Sequence, residues 1–265
     1  MTPNVLDFHY AVAGAITGLF VGMTGVGGGA LMTPLLLLFF GVAPATAVAT
    51  DLWFAVVTKL FGFAAHSRSG NVDWRVVKRL WLGSLPVAMG IVFYVAHFHQ
   101  LGKALWLSQS IGWVVMVTAM GLLLSPYLLA KGRAQRMGSP DTFKYFQPPL
   151  TVLAGATLGV CVSLTSIGAG ALGSVMLLYL YPLRLTPHRL VATDIVHAIP
   201  LAAVAGMGYL WAGLVDINML LSLLIGSVPA VYFGSILANK MPGRLIQVIL
   251  AIVLMLASVK MLWYV

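Results

Sequence analysis

The sequence predicts an all-α polytopic membrane protein with two inverted-topology repeats of about five helical segments each, and with broken or re-entrant hairpins meeting near the midplane. Three observations predict it. Hydrophobic residues make up 60% of the 265 and charged residues only 8%, against about 25% charged in a soluble domain, so apolar surface on this scale needs lipid as its solvent. The apolar runs are continuous rather than alternating, which favours helices over a barrel. The chain also matches itself without a gap at an offset of 143 residues.

At that offset Val48-Ala49-Thr50-Asp51 falls on Val191-Ala192-Thr193-Asp194, and Pro44 on Pro187. Gly25 and Gly27 fall on Gly168 and Gly170, Gly70-x-Val72-Asp73 on Gly213-x-Val215-Asp216, and Gly83-Ser84 and Pro86 on Gly226-Ser227 and Pro229. Transporters are commonly built from such duplications. The first repeat, 1–130, carries apolar segments at 8–24, 30–41, 44–65, 76–97 and 104–130. The second, 147–265, carries them at 147–165, 170–182, 187–211, 217–238 and 244–263. Between them 131–146, with "KGRAQRMGSPDTFK", is the most polar stretch and reads as a cytoplasmic linker.

With that linker inside, twelve of the fifteen basic residues fall on the cytoplasmic side, as the positive-inside rule asks. The loop at 66–79 is basic while its repeat partner at 209–222 has no basic residue. The Pro44 turn has none while the Pro187 turn has Arg184 and Arg189. Basic loops therefore swap sides between repeats, which predicts inverted repeats and both termini outside. The net charge of +9 is then topological, and nucleic acid is not an expected partner.

Segments 30–41 and 170–182 have 12 and 13 residues, whereas a span needs about 20. Together with 8–24 and 147–165 they predict two hairpins, one from each face, whose tips are Thr24, Gly25, Gly27, Gly28 and Gly29 in "TGVGGG", and Thr165, Ser166, Gly168 and Gly170 in "TSIGAG". Glycine there permits tight turns and close approach of backbone to a ligand. The following helices point free N–H groups and positive dipole ends at the tips, which suits an anion. Close packing of small residues between helices is the alternative.

Asp51 and Asp194 each lie seven residues past a helix-opening proline. An ionisable side chain at that depth faces a cavity or a partner, so each is a candidate to carry a coupling proton or ion, or else to be satisfied by N–H groups at a tip or by a neighbouring hydroxyl. Thr50 and Thr193 are candidate donors to an anion, or bond back to their own helix. Lys59 shares a helix face with Asp51 and could pair with it, draw an anion inward, or snorkel to the interface. His197 shares a face with Asp194, as relay or as packing residue. Cys161, the single cysteine, reads as a buried small residue, and Trp53, Trp74, Trp81, Trp106, Trp211 and Trp263 as interfacial anchors.

The segments "GLFVGMTGVGGGALMTPLLLLFFGVAPATAVAT" (18–50) and "SLTSIGAGALGSVMLLYLYPLRLTPHRLVAT" (163–193), with "SGNVDW" and "GSLPVAMG", resemble the sulfite exporter TauE/SafE family over nearly the whole chain. The resemblance implies movement, and expectedly export, of sulfite or related organosulfur and sulfonate anions across the inner (plasma) membrane. No GxxxxGK[ST] nucleotide loop occurs, so a secondary transporter working by alternating access is expected. An anion channel, or a transporter of another small anion such as a carboxylate, is the competing class. No HExxH motif or useful nucleophile–base spacing occurs, so no enzyme activity, cofactor or metal is expected. The expected partners are a small inorganic or organosulfur anion and the lipid bilayer, with a homodimer as candidate assembly.

Overall fold

In a computed structural model, residues 7–24, 29–66, 72–98, 105–138, 140–238 and 243–264 are described. They form ten helices and no strand. In chain order these are α1 (Phe8–Thr24), α2 (Gly29–Phe40), α3 (Pro44–His66), α4 (Trp74–Phe98), α5 (Leu105–Gly138), α6 (Pro140–Thr165), α7 (Ala171–Leu180), α8 (Pro187–Trp211), α9 (Ile217–Ala238) and α10 (Gly243–Tyr264). α4, α5, α6, α8, α9 and α10 are long and apolar enough to cross a membrane. The 12 residues of α2 and 10 of α7 reach only about 18 Å and 15 Å at the helical rise.

Helix starts follow local chemistry. α8 opens with a proline, whose missing N–H is no loss at the first position, behind Thr186, which accepts the Arg189 N–H at 3.5 Å. α4 and α9 are capped by aspartates: Asp73 Oδ1 accepts the Val76 N–H at 3.4 Å, and Asp216 Oδ1 accepts the Met219 N–H at 2.9 Å. α8 ends where Gly213 takes φ +69° and the Leu214 N–H returns to Tyr209 O at 3.0 Å, a left-handed stop that glycine enters without a Cβ clash.

The stretch expected as a linker is helical on both sides of residue 139: α5 runs on to Gly138 and α6 begins at Pro140. Its Lys, Arg, Ala and Gln residues are good helix formers, so the polarity of the stretch does not mean a loss of helix.

α1 packs along α9, and α4 along α6. Glycines set both contacts. A Cβ on Gly14 or Gly226 would strike a backbone carbonyl across the first, Leu223 O or Ala11 O, and one on Gly83 or Gly155 would strike Val152 O or Leu80 O across the second. Small residues let membrane helices approach to backbone contact. α5 lies against α10 and α7, α2 against α10 and α3, and α3 against α8 at the centre.

The burial pattern is inside-out relative to a water-soluble protein. Phe39, Leu82, Leu153 and Leu256 are 78%, 68%, 62% and 67% exposed, while Thr33, Thr50, Asp51, Thr193 and His197 are fully buried. Lipid is the solvent that makes such an exterior favourable. Trp74, Trp106, Trp211 and Trp263 sit near helix ends and are exposed, as anchors would be. Trp53 and Trp81 do not. Their indole N–H groups donate to Gly206 O at 3.1 Å and His197 O at 3.2 Å, tying α3 and α4 to α8, because a half-buried indole must find an acceptor.

Candidate functional site

The site grows from the second tip. α6 ends at Thr165, whose hydroxyl donates to Cys161 O at 2.6 Å and accepts the Ile167 N–H at 3.2 Å. The chain then reverses through Ser166, Gly168 and Gly170 at φ +59°, +127° and +116°. Gly168 and Gly170 lie in a region that side chains rarely enter, so glycine is a conformational requirement there. Gly173 and Ser174 return their N–H groups to Gly168 O and Gly170 O at 2.9 and 3.0 Å, which starts α7.

The Gly170 N–H donates instead to Asp194 Oδ1 on α8, at 3.2 Å. Asp194 Oδ2 stands 3.4 Å from Lys59 Nζ on α3, and the same ammonium lies 3.5 Å from Ala169 O. Asp194 and Lys59 are 2% and 3% exposed. A buried ion pair of this kind holds only if each charge is compensated. The aspartate is, by the lysine and by a helix N-terminus that favours negative charge. Gly173 makes room for it: a Cβ there would stand 2.7 Å from Asp194 Oδ1.

Asp51 is fully buried and has a different neighbourhood. The Thr33 hydroxyl on α2 donates to Oδ2 at 2.5 Å, and Ser166 of the second tip lies beside it. Among the described residues, Asp51 Oδ1, Ser163 Oγ, Ser166 Oγ and His197 Nδ1 are buried without a hydrogen-bond partner. Each such group costs about 1–3 kcal/mol if left unmet. Three of them flank the second tip or the carboxylate beside it.

Several expectations are corrected. Lys59 neither pairs with Asp51 nor snorkels; it crosses to Asp194, because α3 and α8 pack side by side. His197, by contrast, fits its packing alternative: it bonds Ser84 on α4, with Nε2 and Oγ 3.0 Å apart, and joins α8 to α4. Thr50 and Thr193 do not bond back to their own helices. Each accepts the N–H of the aspartate that caps a helix of the other half, Thr193 from Asp73 at 3.1 Å and Thr50 from Asp216 at 3.3 Å. Cys161 is half-buried on α6, one turn before the second tip. Of the first tip, Gly25, Gly27 and Gly28 lie outside the described residues; Thr24 closes α1 and Gly29 opens α2.

Sequence reasoning missed Thr33, Gly173 and Ser84. Thr33 had a signal, as a hydroxyl in the otherwise apolar "GALMTPLLLLFF". It missed as well the Asp73–Arg184 ion pair, with Nε to Oδ2 at 2.6 Å and Nη2 to Oδ1 at 2.8 Å. Arg189 Nη2 lies 3.8 Å from the same carboxylate, and the Arg79 guanidinium donates to the Tyr181 hydroxyl at 3.3 Å. The start of α4 and the turn before α8 therefore share one end of the bundle.

An apolar exterior, helices of spanning length and charged groups sealed at the centre define a multi-pass membrane protein. Comparison with known proteins makes it a transporter. Residues 10–261 match the sulfite exporter TauE/SafE family, and the chain belongs to that family. It is 36% identical over 252 residues to the probable membrane transporter protein YjnA of Bacillus subtilis (strain 168), covering 94% of this chain and 97% of that one. It is 27% identical over 227 residues to the probable membrane transporter protein YdhB of the same organism, covering 86% and 88%. No solved structure matches the chain.

Proposed function

We propose that the protein is a secondary transporter that exports sulfite or a related organosulfur or sulfonate anion across the inner (plasma) membrane by alternating access. One observation carries the reading. A lysine that is 3% exposed and the N-terminus of the half-length helix α7 converge at the second tip, within the polar centre of an otherwise apolar bundle. A buried positive charge and a backbone N–H at a helix N-terminus are what a small oxyanion needs where water is scarce. In this reading the substrate contacts are Gly168, Gly170, Thr165 and Ser166, with Thr24, Gly25, Gly27, Gly28 and Gly29 supplying the matching tip, Thr50 and Thr193 beside them, and a proton as coupling ion.

The halves 1–130 and 147–265 are inverted repeats in this reading, with 131–146 cytoplasmic and both termini outside. In support, the packing pairs up when the halves are exchanged: α1 on α9 answers α6 on α4, and α2 on α10 answers α7 on α5. The basic loop before α4 and the basic turn before α8 meet through Asp73 and Arg184, so both fit one, cytoplasmic, face.

Proteoliposomes loaded in turn with sulfite, sulfate, thiosulfate, sulfoacetate, taurine and a simple carboxylate such as acetate test it. The expected outcome is saturable uptake and counterflow with sulfite or a sulfonate, since a channel cannot drive uphill exchange. Flux without counterflow would make the protein a channel, and uptake of carboxylates alone would make the substrate another anion.

A further inference from the structure

The second tip already holds an anion, a carboxylate of the protein itself. Asp194 takes the Gly170 N–H with one oxygen and faces the Lys59 ammonium with the other, at 3.2 and 3.4 Å. These are the donors that a substrate would use. The grip is loose. Among the described residues Lys59 reaches only Asp194 Oδ2 and Ala169 O, at 3.4 and 3.5 Å, whereas a tight charge-assisted bond measures about 2.7–2.9 Å. The same turn presents the Ser166 hydroxyl, 4% exposed and beside Asp51. Gly173 admits the carboxylate to the first turn of α7, where any Cβ would crowd it.

Resting on the anion-transporter reading above, we propose that Asp194 is a resident stand-in for the substrate. A small oxyanion takes its place on Lys59 and the Gly170 N–H only when Asp194 carries a proton, so each anion that binds at this tip takes up one proton. Charge balance demands the exchange. An anion arriving beside an ionised Asp194 would set two negative charges against one lysine in a site closed to water, where unpaired charge is expensive. With Asp194 protonated, the anion inherits the ion pair and the net charge of the site is unchanged.

Besides Lys59, the titratable groups with described side chains on the helices packed against α8 are Asp51 on α3; Arg75, Lys78, Arg79 and Tyr94 on α4; Tyr145 and Cys161 on α6; and Tyr179 on α7. Asp51, the other carboxyl of the set, takes the Thr33 hydroxyl on α2. α8 itself adds Arg189, His197 and Tyr209. His197 is engaged by Ser84, Tyr209 donates to Ser163 O at 2.9 Å, and Arg189 faces Asp73. Of the whole set, with Lys59, only Lys59 bonds Asp194 among the described residues.

Methanesulfonate keeps a single negative charge between about pH 5.5 and about pH 8, so any pH dependence of its binding belongs to the protein. Isothermal titration calorimetry on protein in nanodiscs, repeated in two buffers of different ionisation enthalpy, reads affinity and proton uptake together. For the parent, affinity falls about tenfold per pH unit on the alkaline limb, with uptake approaching one proton per anion. Asp194→Asn binds at about pH 8 as tightly as the parent does at about pH 5.5, without proton uptake. Gly173→Ala keeps both charges but pushes the carboxylate off the Gly170 N–H, and moves the fall in affinity to higher pH. A parental profile in Asp194→Asn, or in Gly173→Ala should the first variant not fold, overturns the stand-in while leaving the transporter reading intact. If the parent binds neither methanesulfonate nor sulfite, the sulfur-anion reading itself is lost, and this inference with it.

Discussion

Asp51 and Asp194 occupy matching positions 143 residues apart, each seven residues into a proline-led helix, yet they bond differently. Asp194 has a lysine and a backbone N–H. Asp51 has a threonine hydroxyl on one oxygen and, among the described residues, no partner on the other. The two matching positions share a carboxylate but not its surroundings. Lys59 corresponds to Ala202, Thr33 to Met176, and Ser166 to Met23. Matching positions thus hold one compensated charge and one carboxyl with no cation bonded to it among the described residues. Thr33 on α2 and Lys59 on α3 are different side chains, so each carboxylate's main partner can be substituted singly.

Removing the cation breaks the contrast most severely. Lys59→Met leaves Asp194 buried without its counter-charge and should cost about 3–5 kcal/mol, read as a lower unfolding midpoint in nanodiscs. Lys59→Met/Asp194→Asn should recover most of it, and a double variant no more stable than the single would mean that the two are not coupled. Next comes the backbone under Asp194. Gly170→Val forces a β-branched residue to φ +116° at a cost of about 3 kcal/mol, and should abolish stabilisation of the protein by bound sulfite. If that stabilisation persists, the tip is a packing element and the anion binds elsewhere.

A smaller effect is expected on the Asp51 side. Thr33→Val removes the hydroxyl that donates to Asp51 Oδ2 and should cost about 1–2 kcal/mol, while the pH dependence of sulfonate binding stays parental. A shifted profile would give Asp51 a share in proton uptake and weaken the division between the two carboxylates. The mildest change is the control. A Cβ on Gly121 of α5 would meet Val175 of α7 at an ordinary 3.6 Å, so Gly121→Ala should alter stability by less than about 1 kcal/mol, in the stabilising direction. A marked loss there would mean that α7 tolerates no crowding at all, and would blunt the reading of Gly170→Val.

Much of the architecture was legible in the chain because lipid imposes a simple rule. A backbone in hydrocarbon must satisfy itself as helix, so continuous apolar runs translate directly into spans. α1, α8 and α9 begin and end where the apolar segments 8–24, 187–211 and 217–238 do. The shortness of α2 and α7 was equally visible, since span length is counted in residues. The extent of α5 and α6 was not, because basic and polar residues that read as a linker also make good helix.

The sequence by itself determined that this is a helical membrane protein, that its two halves match at an offset of 143 residues, and that clustered glycines and two matching aspartates are its unusual features. Only the tertiary structure decided the partners. Lys59 and Asp194 are separated by 135 residues, and Asp73 and Arg184 by 111. Helical periodicity relates residues three or four apart on one face but says nothing about which face of another helix it will meet. Which carboxylate gains a cation is set by how α3, α7 and α8 pack, through contacts of a few ångströms between residues with no local relation in the chain.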